Sequence, residues 1–205
     1  MTKCSVRRSL FLIGCALAAL AAGCATTADR KVNLAYEPAV HAVGGSGELY
    51  LARQAGTGGT NQPVQWVIGT IKDSDGNKVG SVVTDTLPAD LVVQAFSAEL
   101  KAAGYTVIPV AEIPSGAAKG ITLENAAVAL DEVTSLVKVE GRSSVKATAE
   151  IWKNGTVVGK LLYETADSDT TVTHRETFPQ EMLQKSLQNL MQRAVPELIK
   201  SLEQK

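Results

Sequence analysis

Within the strand-like run over residues 142–152, residues 144–151 alternate without a break. Val145, Ala147, Ala149 and Ile151 fall on one side of an extended chain, and Ser144, Lys146, Thr148 and Glu150 fall on the other. Asn154-Gly155 follows, then a second strand-like run over residues 156–165. Asn and Gly both tolerate the positive φ that a two-residue hairpin turn requires. The stretch therefore reads as a hairpin with one wet face and one apolar face, and the apolar face has to be covered.

Two helices are available as the cover. From about Phe178 onward, Leu183, Leu187, Leu190, Ala194, Leu198 and Leu202 recur every three to four residues as a core stripe over residues 178–203. Thr177 with Gln180 has the spacing of a capping box, and Pro196 lies inside the helix. The polar side mixes Glu181, Lys185, Glu197 and Lys200, which is not the basic face of a membrane-surface helix. The earlier helix begins at Pro88, has Asp90 in its first turn, carries Leu91, Val92, Ala95, Phe96 and Leu100 on one face, and ends at Gly104.

The other strand signals are residues 31–38, 48–53, 66–72, 78–84, 105–110 and 121–133. Asp73-Ser74-Asp75-Gly76-Asn77 resembles the start of a calcium loop. However, Lys78 stands where that loop needs Gly and Thr84 where it needs Glu, so a hairpin turn is expected. The glycine-rich stretch over residues 55–61 precedes a strand, not a helix N-terminus, and reads as a loop and not a phosphate cradle. The fold expected is α/β in the α+β sense: one two-layer domain, a mostly antiparallel sheet packed by two helices.

Ahead of this domain lies an export signal. Lys3, Arg7 and Arg8 precede an uncharged apolar run over residues 10–20, and the small residues Ala21-Ala22-Gly23 lead into Cys24. The run is too short to span a bilayer, which takes about 20 apolar residues. Leu20-Ala21-Ala22-Gly23-Cys24 resembles a lipobox, with cleavage between Gly23 and Cys24 and lipid on Cys24. Cys15 is a second candidate, but cleavage there leaves an apolar core of only about five residues. The organisation expected is a signal peptide over residues 1–23, a lipidated Cys24 with a short tether to residue 30, and a globular domain over residues 31–205.

Cleavage removes Lys3, Arg7 and Arg8 and no acid, so 20 basic residues against 21 acidic become 17 against 21, a net charge of −4. That balance argues against nucleic acid and against docking on anionic lipid. Cys4 and Cys15 leave with the signal and Cys24 carries lipid, so the domain folds without disulfides. The two histidines, His41 and His174, stand outside any catalytic or metal-binding spacing, and adjacent acids such as Asp131 and Glu132 point to opposite faces of a strand. Asp167 and Asp169 read as a solvated loop. No catalytic, cofactor-binding or metal-binding residue is expected, and the chain is read as a non-enzyme.

The pieces in this order resemble the YajG family of bacterial lipoproteins. The lipobox cysteine, the opening run over residues 32–38 and the helix-to-strand passage Glu99-Leu100-Lys101-Ala102-Ala103-Gly104-Tyr105 carry the likeness, with Ala129-Leu130-Asp131-Glu132-Val133, the hairpin over residues 147–159 and the C-terminal helix. The resemblance implies a lipoprotein facing the periplasm from the outer membrane, consistent with Ala25, a non-Asp residue, after the cysteine. A binding or scaffolding role in the envelope, at the membrane holding its lipid, is the function expected. A lipid- or small-ligand-binding accessory to transport is the alternative, and an enzyme with an unrecognised site is a second alternative.

Overall fold

The computed structural model describes residues 29–53 and 64–204. Cys24, Gly23 and the rest of the leader lie outside the described residues, as does the glycine-rich stretch over residues 55–61. Eight strands form one mixed sheet: β1 (Arg30–Lys31), β2 (Glu48–Arg53), β3 (Trp66–Lys72), β4 (Lys78–Thr84), β5 (Thr106–Val110), β6 (Lys119–Thr134), β7 (Val139–Lys153) and β8 (Thr156–Thr171). Two helices, α1 (Pro88–Ala102) and α2 (Phe178–Glu203), cover one face.

The spine is the antiparallel meander β6-β7-β8, paired from Lys119↔Lys153 to Thr134↔Val139 with a register shift between Glu124 and Ala127, and from Val139↔Thr171 to Lys153↔Thr156 with one between Ile151 and Trp152. At about 3.3 Å per residue, a 16-residue strand such as β6 is roughly 50 Å long. The free edge of β6 is shared: β2 pairs with its first part in parallel and β3 with its last part in parallel, β5 extending the sheet beyond β2, and β4 and β1 extending it beyond β3. Antiparallel pairing dominates by length, as the alternation implied. The short parallel pairings depend on contacts between distant segments and have no local signature.

The covered face is the one the alternation marks. Val145, Ala147, Ala149 and Ile151 are all buried, as is the whole leucine stripe of α2 from Leu183 to Leu202. Helix α1 ends as the glycine signal suggested. Gly104 takes φ +111°, its N–H bonds the Lys101 carbonyl at 3.1 Å, and the Tyr105 N–H bonds the Leu100 carbonyl at 3.1 Å, which together satisfy two orphan carbonyls.

Four expectations are corrected. The strand expected over residues 31–38 is paired only at Arg30–Lys31, so Arg30, assigned to the tether, already belongs to the sheet. Residues 32–47 instead run as a strap across the helix layer. Val32, Leu34 and Tyr36 pack on the core and keep the period of two; the Val32 N–H still bonds the Val83 carbonyl of β4 at 2.8 Å, but beyond it the Glu37 carbonyl accepts from Gln184 and Gln188 of α2. The carboxylate of Glu99 on α1 supplies what a neighbouring strand would have: it accepts from the Tyr36 hydroxyl at 2.6 Å, the Ala39 N–H at 2.7 Å and the Val40 N–H at 3.2 Å. Asp167 and Asp169 lie in β8, and not in a loop; they face α2, where Asn189 Nδ2 reaches Asp167 at 2.7 Å and Lys185 Nζ reaches Asp169 at 2.8 Å. The capping box does not form either. Thr177 is helical at φ −87°, ψ −17°, and its hydroxyl donates to Glu181 at 2.7 Å.

Candidate functional site

The long sheet has two distinct ends. At the first, where β6 begins and α2 ends, Lys119 Nζ meets Glu203 Oε1 at 2.5 Å, the Ser46 carbonyl at 3.0 Å and Ser46 Oγ at 3.4 Å. The Tyr105 hydroxyl donates to the same Glu203 oxygen at 2.7 Å, and Lys119 stands 5.5 Å from the centre of the Tyr105 ring. The hydrogen bond from Lys119 is the main reason the Glu203 carboxyl titrates below its usual range, and burial, then Glu203, push the Tyr105 phenol upward. Beside this cluster opens a cleft of about 530 Å³ lined by Ser46, Glu48, Tyr50, Pro114 and Lys119 among others. Its one lysine has already spent its three N–H bonds on protein acceptors, and Tyr50 donates to Glu48 at 3.3 Å. The polar groups of the cleft serve each other.

At the opposite end, β6 turns into β7 through residues 135–138. The Ser135 N–H bonds the Lys138 carbonyl at 2.9 Å, and the Lys138 N–H bonds Ser135 Oγ at 3.1 Å. Arg175, just before α2, grips this turn by donating to the Ser135 carbonyl at 3.1 Å and the Leu136 carbonyl at 2.8 Å. Arg30 in turn donates to the Arg175 carbonyl at 2.8 Å, and its Nη1 lies 2.9 Å from Glu132 Oε2. Glu132 is 1% exposed and faces the helix layer, while Asp131 on the outer face accepts from Thr70. The two adjacent acids do point apart, as strand geometry demands. The Arg30 approach is close but misaligned: neither Glu132 oxygen has a hydrogen-bond partner among the described residues. Burial accordingly outweighs the arginine and raises the Glu132 carboxyl above its usual range.

The outer face of the meander is polar. Lys160 bridges Glu124 at 2.6 Å and Glu150 at 3.1 Å, and a shallow trough of about 420 Å³ crosses the three strands near Arg142 and Ser144. His41, at φ +49° in the strap, and His174, 3.2 Å from the Thr173 hydroxyl, are both exposed. The hydrogen bonds of the described residues bring neither histidine to a carboxylate. Among the described residues no three His, Cys, Asp or Glu gather as a metal site, and no helix is long and apolar enough to cross a membrane.

Sequence reasoning missed Glu99, Glu132, Arg30 and Arg175, and the Lys119–Glu203–Tyr105 group. Glu203 lies 84 residues from Lys119 and 98 from Tyr105, so no motif spacing could expose the cluster.

No family model matches the chain, and no curated protein matches it. Among solved structures, the chain is similar to protein XCC0632 from Xanthomonas campestris, of family DUF330, with a TM-score of 0.47 and 10% identity over 84% of this chain and 92% of that one. It is also similar to a Helicobacter pylori protein named as a neuraminyllactose-binding hemagglutinin homolog, with a TM-score of 0.39 and 13% identity over 86% and 93% of the two chains. Both are bacterial proteins. Neither carries the YajG name.

Proposed function

We propose that this chain is a membrane-anchored lipoprotein of the YajG type, facing the periplasm from the outer membrane and acting there as a non-catalytic binding or scaffolding component of the envelope. The observation that carries the reading is the apolar leader ending on Gly23-Cys24. Its physical consequence is proximity. Asp29 already accepts from the Ser81 N–H at 2.8 Å, so only four residues separate the lipidated cysteine from the folded sheet. Five peptide steps at 3.3–3.6 Å span about 18 Å at most. Partners are therefore proteins or lipids at the same membrane, or ligands passing it. The non-catalytic part of the reading is supported by how the polar groups are used: the Lys119 amine and the Glu203, Glu99 and Asp131 carboxylates are engaged in holding loops and strands together.

Labelling cells with radioactive palmitate tests the anchor. The wild type and Cys15→Ala should carry label and fractionate with the outer membrane, whereas Cys24→Ala should lose both label and membrane retention. Full retention and labelling of Cys24→Ala would overturn the assignment.

A further inference from the structure

We propose that the turn between β6 and β7, with Leu136 and Val137 at its tip and Val172 beside it, is immersed in the interfacial layer of the membrane that holds Cys24. The inference rests on the lipoprotein reading and deepens it by naming the surface that meets the lipid.

Leu136 is 100% exposed, Val137 72% and Val172 60%. Scattered exposed aliphatics are ordinary on a protein surface. These three are not scattered. Val172 follows Thr171, the partner of Val139 at the base of the turn, and Arg175 fastens the loop after Val172 to the turn through the Ser135 and Leu136 carbonyls. Centres of tight turns ordinarily take Gly, Asn, Asp or Ser, residues that suit the backbone and the water around it. Here the two central residues are Leu and Val, while Ser135 and Lys138 close the turn internally. The result is an apolar tip, held by hydrogen bonds at its base, that no described residue covers.

The path of the chain says what covers it. Strand β3 runs parallel to β6, with Lys72 opposite Val133, so the β3–β4 turn lies at the same end of the sheet as the tip. Strand β4 runs away from that end, and β1 runs parallel to β4. Residues 30–31 therefore run away from the tip end, with Arg30 on the side of β1 nearer to it. Arg30 is bonded to the carbonyl of Arg175, the residue that holds the tip. With four residues between Cys24 and Asp29, the lipid is confined to within about 18 Å of Asp29, which lies in the half of the sheet that ends at the tip. The other end of β6 is roughly 50 Å away. Among the described residues, the end nearest the anchor carries the most exposed leucine at the centre of a closed turn, whereas the exposed Val157 and Val158 of the far end lie along β8 beyond the Asn154-Gly155 turn. Charges at this end are mixed: Lys138 pairs with Glu140, and Lys72 and Lys78 flank Asp73 and Asp75. Contact should accordingly be apolar in origin and indifferent to anionic lipid and to salt.

The test uses the full acylated protein in phosphatidylcholine vesicles, with an environment-sensitive fluorophore on Leu136→Cys or Val172→Cys and, as the reference, on the exposed Ser115→Cys at the far end. The mature chain offers no competing free thiol once Cys24 is acylated. Nitroxide-bearing lipids should quench positions 136 and 172 several-fold more than position 115, and raising the salt to molar levels should leave that ratio unchanged. Equal quenching at the three positions, in vesicles that float with the protein, would overturn the immersed tip and leave the anchor standing. Acylated protein that fails to float with vesicles would overturn both.

Discussion

The two ends of the sheet are built from similar parts to opposite effect. Each has a turn between long strands, a buried or half-buried glutamate and a cation that reaches it. Where β6 begins, the charged groups and the turn are matched: Lys119 and Tyr105 both donate to Glu203, Lys153 Nζ donates to the Gln204 carbonyl at 2.5 Å, and the Asn154 and Gly155 N–H groups bond the Ala118 and Ala117 carbonyls. Where β6 ends, Arg30 comes near Glu132 without satisfying it, and the turn carries apolar side chains outward. The first end closes the domain on itself. The second leaves a buried carboxylate unmatched and apolar side chains in the open.

The sharpest way to break this comparison is a pair of glycine substitutions. Gly155 at the closed end has φ +76° and Gly76 in the β3–β4 turn has φ +84°, so both pay the same backbone strain as alanine. They differ in surroundings. A Cβ on Gly155 would stand 1.9 Å from the Ser115 carbonyl oxygen, while one on Gly76 meets nothing within 4 Å. Gly155→Ala should destabilise by about 2–4 kcal/mol, adding a backbone clash to the strain, and Gly76→Ala by about 1 kcal/mol. Denaturant unfolding checks both. Equal losses would mean that the two turns are packed alike.

The two glutamates should respond to pH with opposite sign. The folded-state value of Glu203 is lowered, so its contribution to stability is present above the ordinary carboxylate range and is lost as pH falls through that lowered value. The folded-state value of Glu132 is raised, so it favours the fold below the ordinary range and that contribution is lost as pH rises through the raised value. Glu203→Gln should therefore cost about 1 kcal/mol near neutral pH and little in acid. Glu132→Gln should gain relative to the wild type as pH rises from acid to neutral. Thermal unfolding of the three proteins across pH measures both slopes, and parallel curves would erase the distinction between the ends.

Smaller effects follow at the surface. Leu136→Asp should change stability by less than about 0.5 kcal/mol, since the side chain touches no core, while reducing membrane contact. The histidines sample both regions: His41 lies in the strap, whose Gly45 N–H bonds the Ala103 carbonyl, and His174 lies beside Arg175. His41→Asn and His174→Ala should each fold within about 0.5 kcal/mol of the wild type and complement a deletion strain fully. Loss of complementation at normal abundance would reopen the catalytic reading.

Much of the fold is legible because burial is one-sided. The alternation of β7 and the stripe of α2 mark the same interface from its two sides, and each is readable alone. The strap shows the limit of that signal. Val32, Leu34 and Tyr36 alternate because one side is buried, but alternation does not say where strand pairing stops: after Val32 the segment leaves β4, and Glu99 receives the Tyr36 hydroxyl and the Ala39 and Val40 N–H groups. Asp167 and Asp169 mislead for the reverse reason. Charged residues on an inward face look like a loop until Asn189 and Lys185 are seen to meet them from the helix. The candidate surfaces divide the same way. Leu136 and Val137 between Ser135 and Lys138 are an anomaly visible in the sequence, whereas Lys119, Tyr105 and Glu203 come together only through the closure of the fold.

Orientation is the claim on which the functional reading depends most, and photocrosslinking in intact cells tests it directly. A photoreactive side chain at position 136 should capture outer-membrane lipid or outer-membrane protein, and the same group at position 115 should not capture lipid. Reproducible capture of an inner-membrane protein close to its membrane-spanning region, with normal envelope spacing, would contradict both the short tether and the membrane-facing tip.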